Sequence, residues 1–171
     1  MPDEGLPARR CGPCTFCCKV MEVAELEKPA GAACVNCRAG AGCAIYEGRP
    51  ASCRDFVCGW LVNPNLPHRL RPDQCKVVLN VDTAGRRMIA CCDVANPHAW
   101  RREPMYGLLK RMAANAQDDD RQVIAMAGRQ VWIITPSQDV ALGDVDPGSS
   151  YIVEEAPGGA VRVTVVPPAP A

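Results

Sequence analysis

Cys11-Gly-Pro-Cys14-Thr-Phe-Cys17-Cys18 opens a run that continues through Cys34, Cys37, Cys43, Cys53 and Cys58, nine of the chain's twelve cysteines. Packing alone does not call for so many thiols in so little sequence. Thiols this dense are normally oxidised to disulfides or bound to metal. The N-terminus Met-Pro-Asp-Glu-Gly carries no basic region and no apolar core of a signal peptide, so a reducing cytoplasmic setting is expected. Disulfides are rare there, and cysteine clusters more often hold metal.

Spacing sharpens the metal reading. C-x2-C lets two sulfurs face one ion, and it occurs at 11/14, 14/17 and 34/37. With Cys18, Cys43 and Cys53 this makes Cys11, Cys14, Cys17, Cys18, Cys34, Cys37, Cys43 and Cys53 the candidate metal ligands. Zinc and iron–sulfur clusters each take four ligands per site, so two ions are possible. The adjacent pair Cys17-Cys18 diverges on a helix or a strand, so it either serves two ions or includes a bystander. Cys11, Cys14 and Cys17 follow the start of the bacterial ferredoxin spacing, but Met21 stands at the fourth position and no proline follows. Zinc tolerates such irregular spacing. The alternative is an iron–sulfur protein in electron transfer or redox catalysis, closed by a remote cysteine. The histidines, His68 and His98, lie outside the cluster and read as ordinary loop residues.

Outward from the cluster, the 171 residues are 48% hydrophobic and 22% charged with zero net formal charge. That suits one globular domain and gives no general attraction to nucleic acid or anionic membrane. No apolar stretch is long enough to span a bilayer. Asp118-Asp119-Asp120 reads as a solvated turn. The expected organisation is a flexible leader over 1–10 and a single domain over 11–166, ending in a disordered tail over 167–171. Within the domain, 11–62 is the cysteine-cluster part and 75–166 is β-rich. Residues 11–62 are rich in Gly and Pro and poor in long apolar runs, so bound metal would contribute their folding energy.

Arg49-Pro50 predicts a helix with proline in its first turn. Cys53, Phe56, Val57, Trp60 and Leu61 follow at helical spacing, placing Cys53 beside Trp60 and Cys58 about 140° away. Residues 76–82 and 87–93 predict a β-hairpin across Thr83-Ala-Gly85. Pro104 opens a second helix with Met105, Leu108, Leu109 and Met112 on one face. Strands are expected over 122–127 and 130–135, and a last hairpin over 151–155 and 161–166. Cys75, Cys91 and Cys92 read as core cysteines. The sum is an α+β fold, its cysteine-rich half packed on an antiparallel sheet with one or two helices. No Gly-rich phosphate loop, HExxH helix, Ser-His-Asp arrangement or thioredoxin-like βαβ context is present, so no catalytic constellation is assigned.

Cys14-Thr-Phe-Cys17-Cys18, Cys34, Gly42-Cys43-Ala-Ile-Tyr46 and Arg49-Pro50-Ala-Ser-Cys53-Arg54-Asp-Phe56 together resemble the YkgJ-type cysteine-cluster family, a zinc- or iron-chelating domain with a CxxCxxCC signature. Pro97-His-Ala-Trp100 and the following helix look like one of its subgroups. The resemblance implies a cytoplasmic bacterial metal-binding protein. It carries ligand status to Cys14, Cys17, Cys18, Cys34, Cys43 and Cys53, with Cys11, Cys37 and Cys58 as additions. Tyr46, Arg49, Pro50 and Phe56 match positions that shape the site. The partner it implies is a metal ion, with a protein partner open.

Overall fold

The computed structural model describes residues 9–82, 85–116 and 121–169. It is an α+β structure. In chain order the elements are α1 (Cys17–Val20), β1 (Cys37–Arg38), β2 (Gly42–Cys43), α2 (Ala51–Asp55), α3 (Gly59–Val62), α4 (Pro72–Cys75), β3 (Val77–Val81), β4 (Arg87–Cys92), α5 (Met105–Ala116), β5 (Gln122–Ala127), β6 (Gln130–Ile134), β7 (Asp139–Asp144), β8 (Ser150–Glu155) and β9 (Val161–Val166), with short 3-10 turns between some of them.

The frame is a five-stranded sheet in the order β3-β4-β5-β6-β7. Both expected strand pairs appear, Val77 opposite Cys92 in the first and Val123 opposite Ile134 in the second. The sheet is not wholly antiparallel, because β4 and β5 run parallel with Ala90 beside Ala125. The reason lies in α5. Parallel neighbours need a crossover, and a helix supplies it, so α5 returns the chain to the end of the sheet where β4 began. β7 was not anticipated. Its Gly143 and terminal aspartates mask the alternation that marks the other strands.

Side chains alternate across this sheet and both faces are covered. Val77, Leu79, Ala90, Cys92, Val123, Ala125, Trp132 and Ile134 share the larger core with Trp60, Trp100 and α5. From α5, Met105, Leu109, Ala113 and Ala116 are buried at the three- and four-residue spacing of one helical stripe. On the opposite face, Val78 and Cys91 pack with Cys14, Phe16 and Val20 of the N-terminal half. Further along that face Ile124, Val131 and Ile133 meet Tyr151, Val153 and Val163 of the β8–β9 hairpin. Gln122 and Gln138 anchor that hairpin by donating to the carbonyls of Tyr151 and Val161, at 2.7 and 3.3 Å. Among the described residues no helix is long and apolar enough to cross a membrane.

The expected helix from Pro50 is broken in two. Pro50 is the N-cap of α2, and Phe56 and Cys58 are extended before α3 begins. Gly59 explains the break. A Cβ there would lie 3.1 Å from both the Cβ and the carbonyl oxygen of Leu79, so α3 presses its backbone against β3. A continuous helix pattern cannot show this contact. Gly59→Val should therefore destabilise the fold by about 1–3 kcal/mol through overpacking. A urea midpoint equal to wild type would reject that close approach.

Of the expected leader, residues 1–8 lie outside the described residues, and Arg9 is held firmly. Its guanidinium donates to the carbonyls of Trp60, Asn63 and Pro64 at 2.6, 2.9 and 2.8 Å and stacks 4.4 Å from the Trp60 ring. The Asp118–Asp120 turn and residues 83–84 of the hairpin turn also lie outside the described residues. Of the expected tail, residues 167–169 have no regular secondary structure, and 170–171 are outside.

Candidate metal centre

Short local bonds, not long elements, position the thiols. Cys14 N–H donates to the Cys11 carbonyl at 3.1 Å, closing the first C-x2-C turn. Gly12 supplies its positive φ of 49°. Cys34 N–H donates to the Cys18 carbonyl at 3.0 Å, which draws the second C-x2-C against α1, and Cys37 N–H closes that turn on Cys34 at 3.0 Å. β1 and β2 then set Cys37 opposite Cys43. Gly42 is pressed against the first turn: a Cβ there would stand 3.2 Å from the Gly12 carbonyl oxygen. Glu25 brings α2 in, accepting from Ser52 N–H at 3.0 Å and from Ser52 Oγ at 2.6 Å.

The result is one cavity of about 620 Å³ lined by Cys11, Cys14, Cys17, Cys18, Cys34, Cys43 and Cys53. Seven of the eight candidate ligands thus share a wall. The eighth, Cys37, does not line it but stands near enough to Cys18 to help lower its thiol. Cys17 and Cys18 both face the cavity, because a space this wide accepts two side chains about 100° apart on α1. Cys53 belongs to this wall and not to a face shared with Trp60, since the helix break intervenes. Among the described residues, no three His, Cys, Asp or Glu side chains form a group that could hold an ion. The thiols ring the space and do not converge on one point.

Their electrostatics are unequal. The Cys17 thiol, hydrogen-bonded to both Cys11 and Cys18, is pushed upward. The same bonds pull Cys11 down to about 7 and Cys18 down to about 6, against the cost of burial. Cys37 and the Lys28 charge help to lower Cys18, and Arg49 helps to lower Cys11. Burial raises Cys14, Cys37 and Cys53. All twelve cysteines are free thiols.

The other cysteines pack. Cys75, at the end of α4, contacts the Leu70 and Val77 carbonyls at 3.3 Å, and burial pushes it up to about 11. Cys91 and Cys92 are buried and pushed up to about 12 by desolvation. Cys58 caps α3 and packs at the edge of the larger core. His98 and His68 sit edge-on to Trp132 and Trp60, at 5.2 and 5.9 Å.

Residue-type reasoning missed Lys28. It is 6% exposed, and its ammonium donates to the backbone carbonyls of Lys19, Met21 and Pro29. Burial pushes its pKa down, while the charges of Cys34, Cys18, Cys53 and Cys17 act in the opposite sense. Lys19 was likewise missed. It pairs with Asp93 at the end of β4 and fastens α1 to the sheet. Compared with protein-family models, curated proteins and solved structures, the chain matches none.

Proposed function

We propose that this chain is a cytoplasmic metal-binding protein whose clustered thiolates chelate zinc, with room in the donor set for two ions. The observation that carries the reading is that Cys11, Cys14, Cys17, Cys18, Cys34, Cys43 and Cys53 line one cavity, with Cys37 near Cys18. The donors are all sulfur, a set that suits zinc or iron–sulfur chemistry and not a hard cation. Irregular spacing and the missing fourth ferredoxin position favour zinc. Thiols pulled downward at Cys11 and Cys18 by their neighbours favour metal uptake. Drawing the ring of thiols together would accompany binding, since metal affinity and local folding are coupled. Free thiols throughout fit a reducing compartment. The motif resemblance to YkgJ-type chelating domains points the same way.

Elemental analysis of anaerobically purified protein, with a sulfide assay, tests this. Zinc at one to two ions per chain without acid-labile sulfide is expected. Iron with matching sulfide, or no metal at all, would overturn it. Site assignment has its own check. Cys53→Ser should lower zinc stoichiometry and melting temperature together, whereas Cys75→Ser should leave zinc content unchanged. Equal zinc in wild type and Cys53→Ser would remove Cys53 from the donor set.

A further inference from the structure

Two cations stand near the thiol-bearing segments, and among the described residues neither forms an ion pair with a carboxylate. One is Lys28, buried with its three ammonium donors committed to backbone carbonyls. Two of those carbonyls, of Lys19 and Met21, follow Cys17-Cys18 at the end of α1, and the Lys28 charge is felt by Cys17, Cys18, Cys34 and Cys53. The other is Arg49, which lines the cavity and lies 3.7 Å from the Tyr46 ring centroid. Its Nε is buried and has no hydrogen-bond partner, while its charge reaches Cys11.

Neither arrangement is favourable by itself. A buried ammonium wants an opposite charge, and a buried N–H without an acceptor costs about 1–3 kcal/mol. The nearby acids do not answer this need. Glu22 stands exposed on the cavity rim, and Glu25 is exposed with its carboxylate taken by Ser52. Arg9 spends its guanidinium on the Trp60–Leu66 carbonyls, and Arg10 is exposed. What remains is the sulfur wall. Four thiolates on one divalent ion leave a net charge of about −2, which is the charge that one lysine and one arginine neutralise.

We propose that Lys28 and Arg49 are the paired counter-charges of the thiolate centre, with the Arg49 Nε–H reserved for a thiolate sulfur. The proposal deepens the chelation reading and rests on it. It makes both residues positioning groups outside the ligand set. Lys28 also ties the carbonyls around the end of α1 to the loop before Ala30, so its charge and its bonds act together. Arg49 separates the two roles, because its Nε makes no bond that its loss would break.

The test titrates full-length, anaerobically prepared, metal-free protein with zinc against a competing chelator. Arg49→Met should weaken zinc binding by about 10- to 100-fold, the usual effect of losing an outer-shell partner, with no large fall in the metal-free melting temperature, because the buried Nε–H it removes has no partner to lose. Arg49→Lys should recover only part of the affinity, because it restores the charge and not the Nε–H. Lys28→Met should also weaken zinc binding, and if it fails to fold the Arg49 pair still decides. Affinity of Arg49→Met within about twofold of wild type overturns the proposal, as do equal losses in the Met and Lys variants. If inorganic phosphate raises the melting temperature of wild type but not of Arg49→Met, the Nε serves a free anion and the proposal falls. Wild type that binds no zinc removes the chelation reading itself, a result distinct from a wild type that binds and an Arg49→Met that binds equally.

Discussion

On the proposed zinc chelation, stripping the metal from the reduced protein is expected to open residues 11–58 to hydrogen exchange while β3 to β6 stay protected. The N-terminal half has little to hold it otherwise. Its helices are four or five residues long and its strands two, far below what persists alone in water. Its buried apolar side chains ahead of α3 are Cys14, Phe16, Val20 and Val23. Docking relies on a few ties such as the Lys19–Asp93 pair. Structural zinc contributes about 10–16 kcal/mol in small thiolate-bound peptides, so its loss should outweigh those ties. The sheet carries its own core on the α5 face, and its amides should exchange only through global opening. Hydrogen-exchange mass spectrometry of holo and chelator-treated protein measures the contrast. Identical protection of 11–58 in both states would show that the thiol wall stands without metal.

Trp100→Ala should be the most damaging single truncation, at about 3–5 kcal/mol. Trp100 is fully buried. Its ring lies 5.9 Å from Trp132 and 6.0 Å from Tyr106, with the Arg101 guanidinium 4.5 Å above it. These contacts join the turn before α5 to β6, so the cavity would open where helix and sheet meet. A domain of this size has about 5–15 kcal/mol in total, and the loss is a large share. Urea unfolding followed by circular dichroism reads it, and a midpoint within error of wild type would contradict the packing. Protein that remains folded should keep its zinc stoichiometry, because Trp100 lies in the core on the other side of the sheet from Cys14.

Much of the frame was legible because alternation and turn residues are local signals. The hairpin of β3 and β4, the pair β5 and β6, the stripe on α5 and the hairpin β8–β9 all follow from spacing within their own segments. The parallel β4–β5 pairing was not legible, since it depends on where α5 lands. The broken helix was hidden for a related reason. Cys53, Phe56 and Trp60 satisfy helical spacing equally in one helix or two, and only the contact of Gly59 with Leu79 decides. At the site, thiol spacing marked which cysteines would gather. It could not mark Lys28, because Glu25-Leu-Glu-Lys28-Pro29 reads as solvated surface until the loop buries it. Nor could it show that Cys37 would face Cys43 across a two-residue ladder and stay off the cavity wall.

The neighbours Cys91 and Cys92 point to opposite faces of β4, one under the thiol-bearing half and one in the core beneath α5. Both are nearly inaccessible, at 6% and 2% exposure. The strand thus carries two natural timers, one residue apart and reading different events. A thiol label reaches Cys91 when the N-terminal layer lifts away, and reaches Cys92 only when the helix layer does. The ratio of their labelling rates therefore reports whether the layers part separately or together, without any introduced probe.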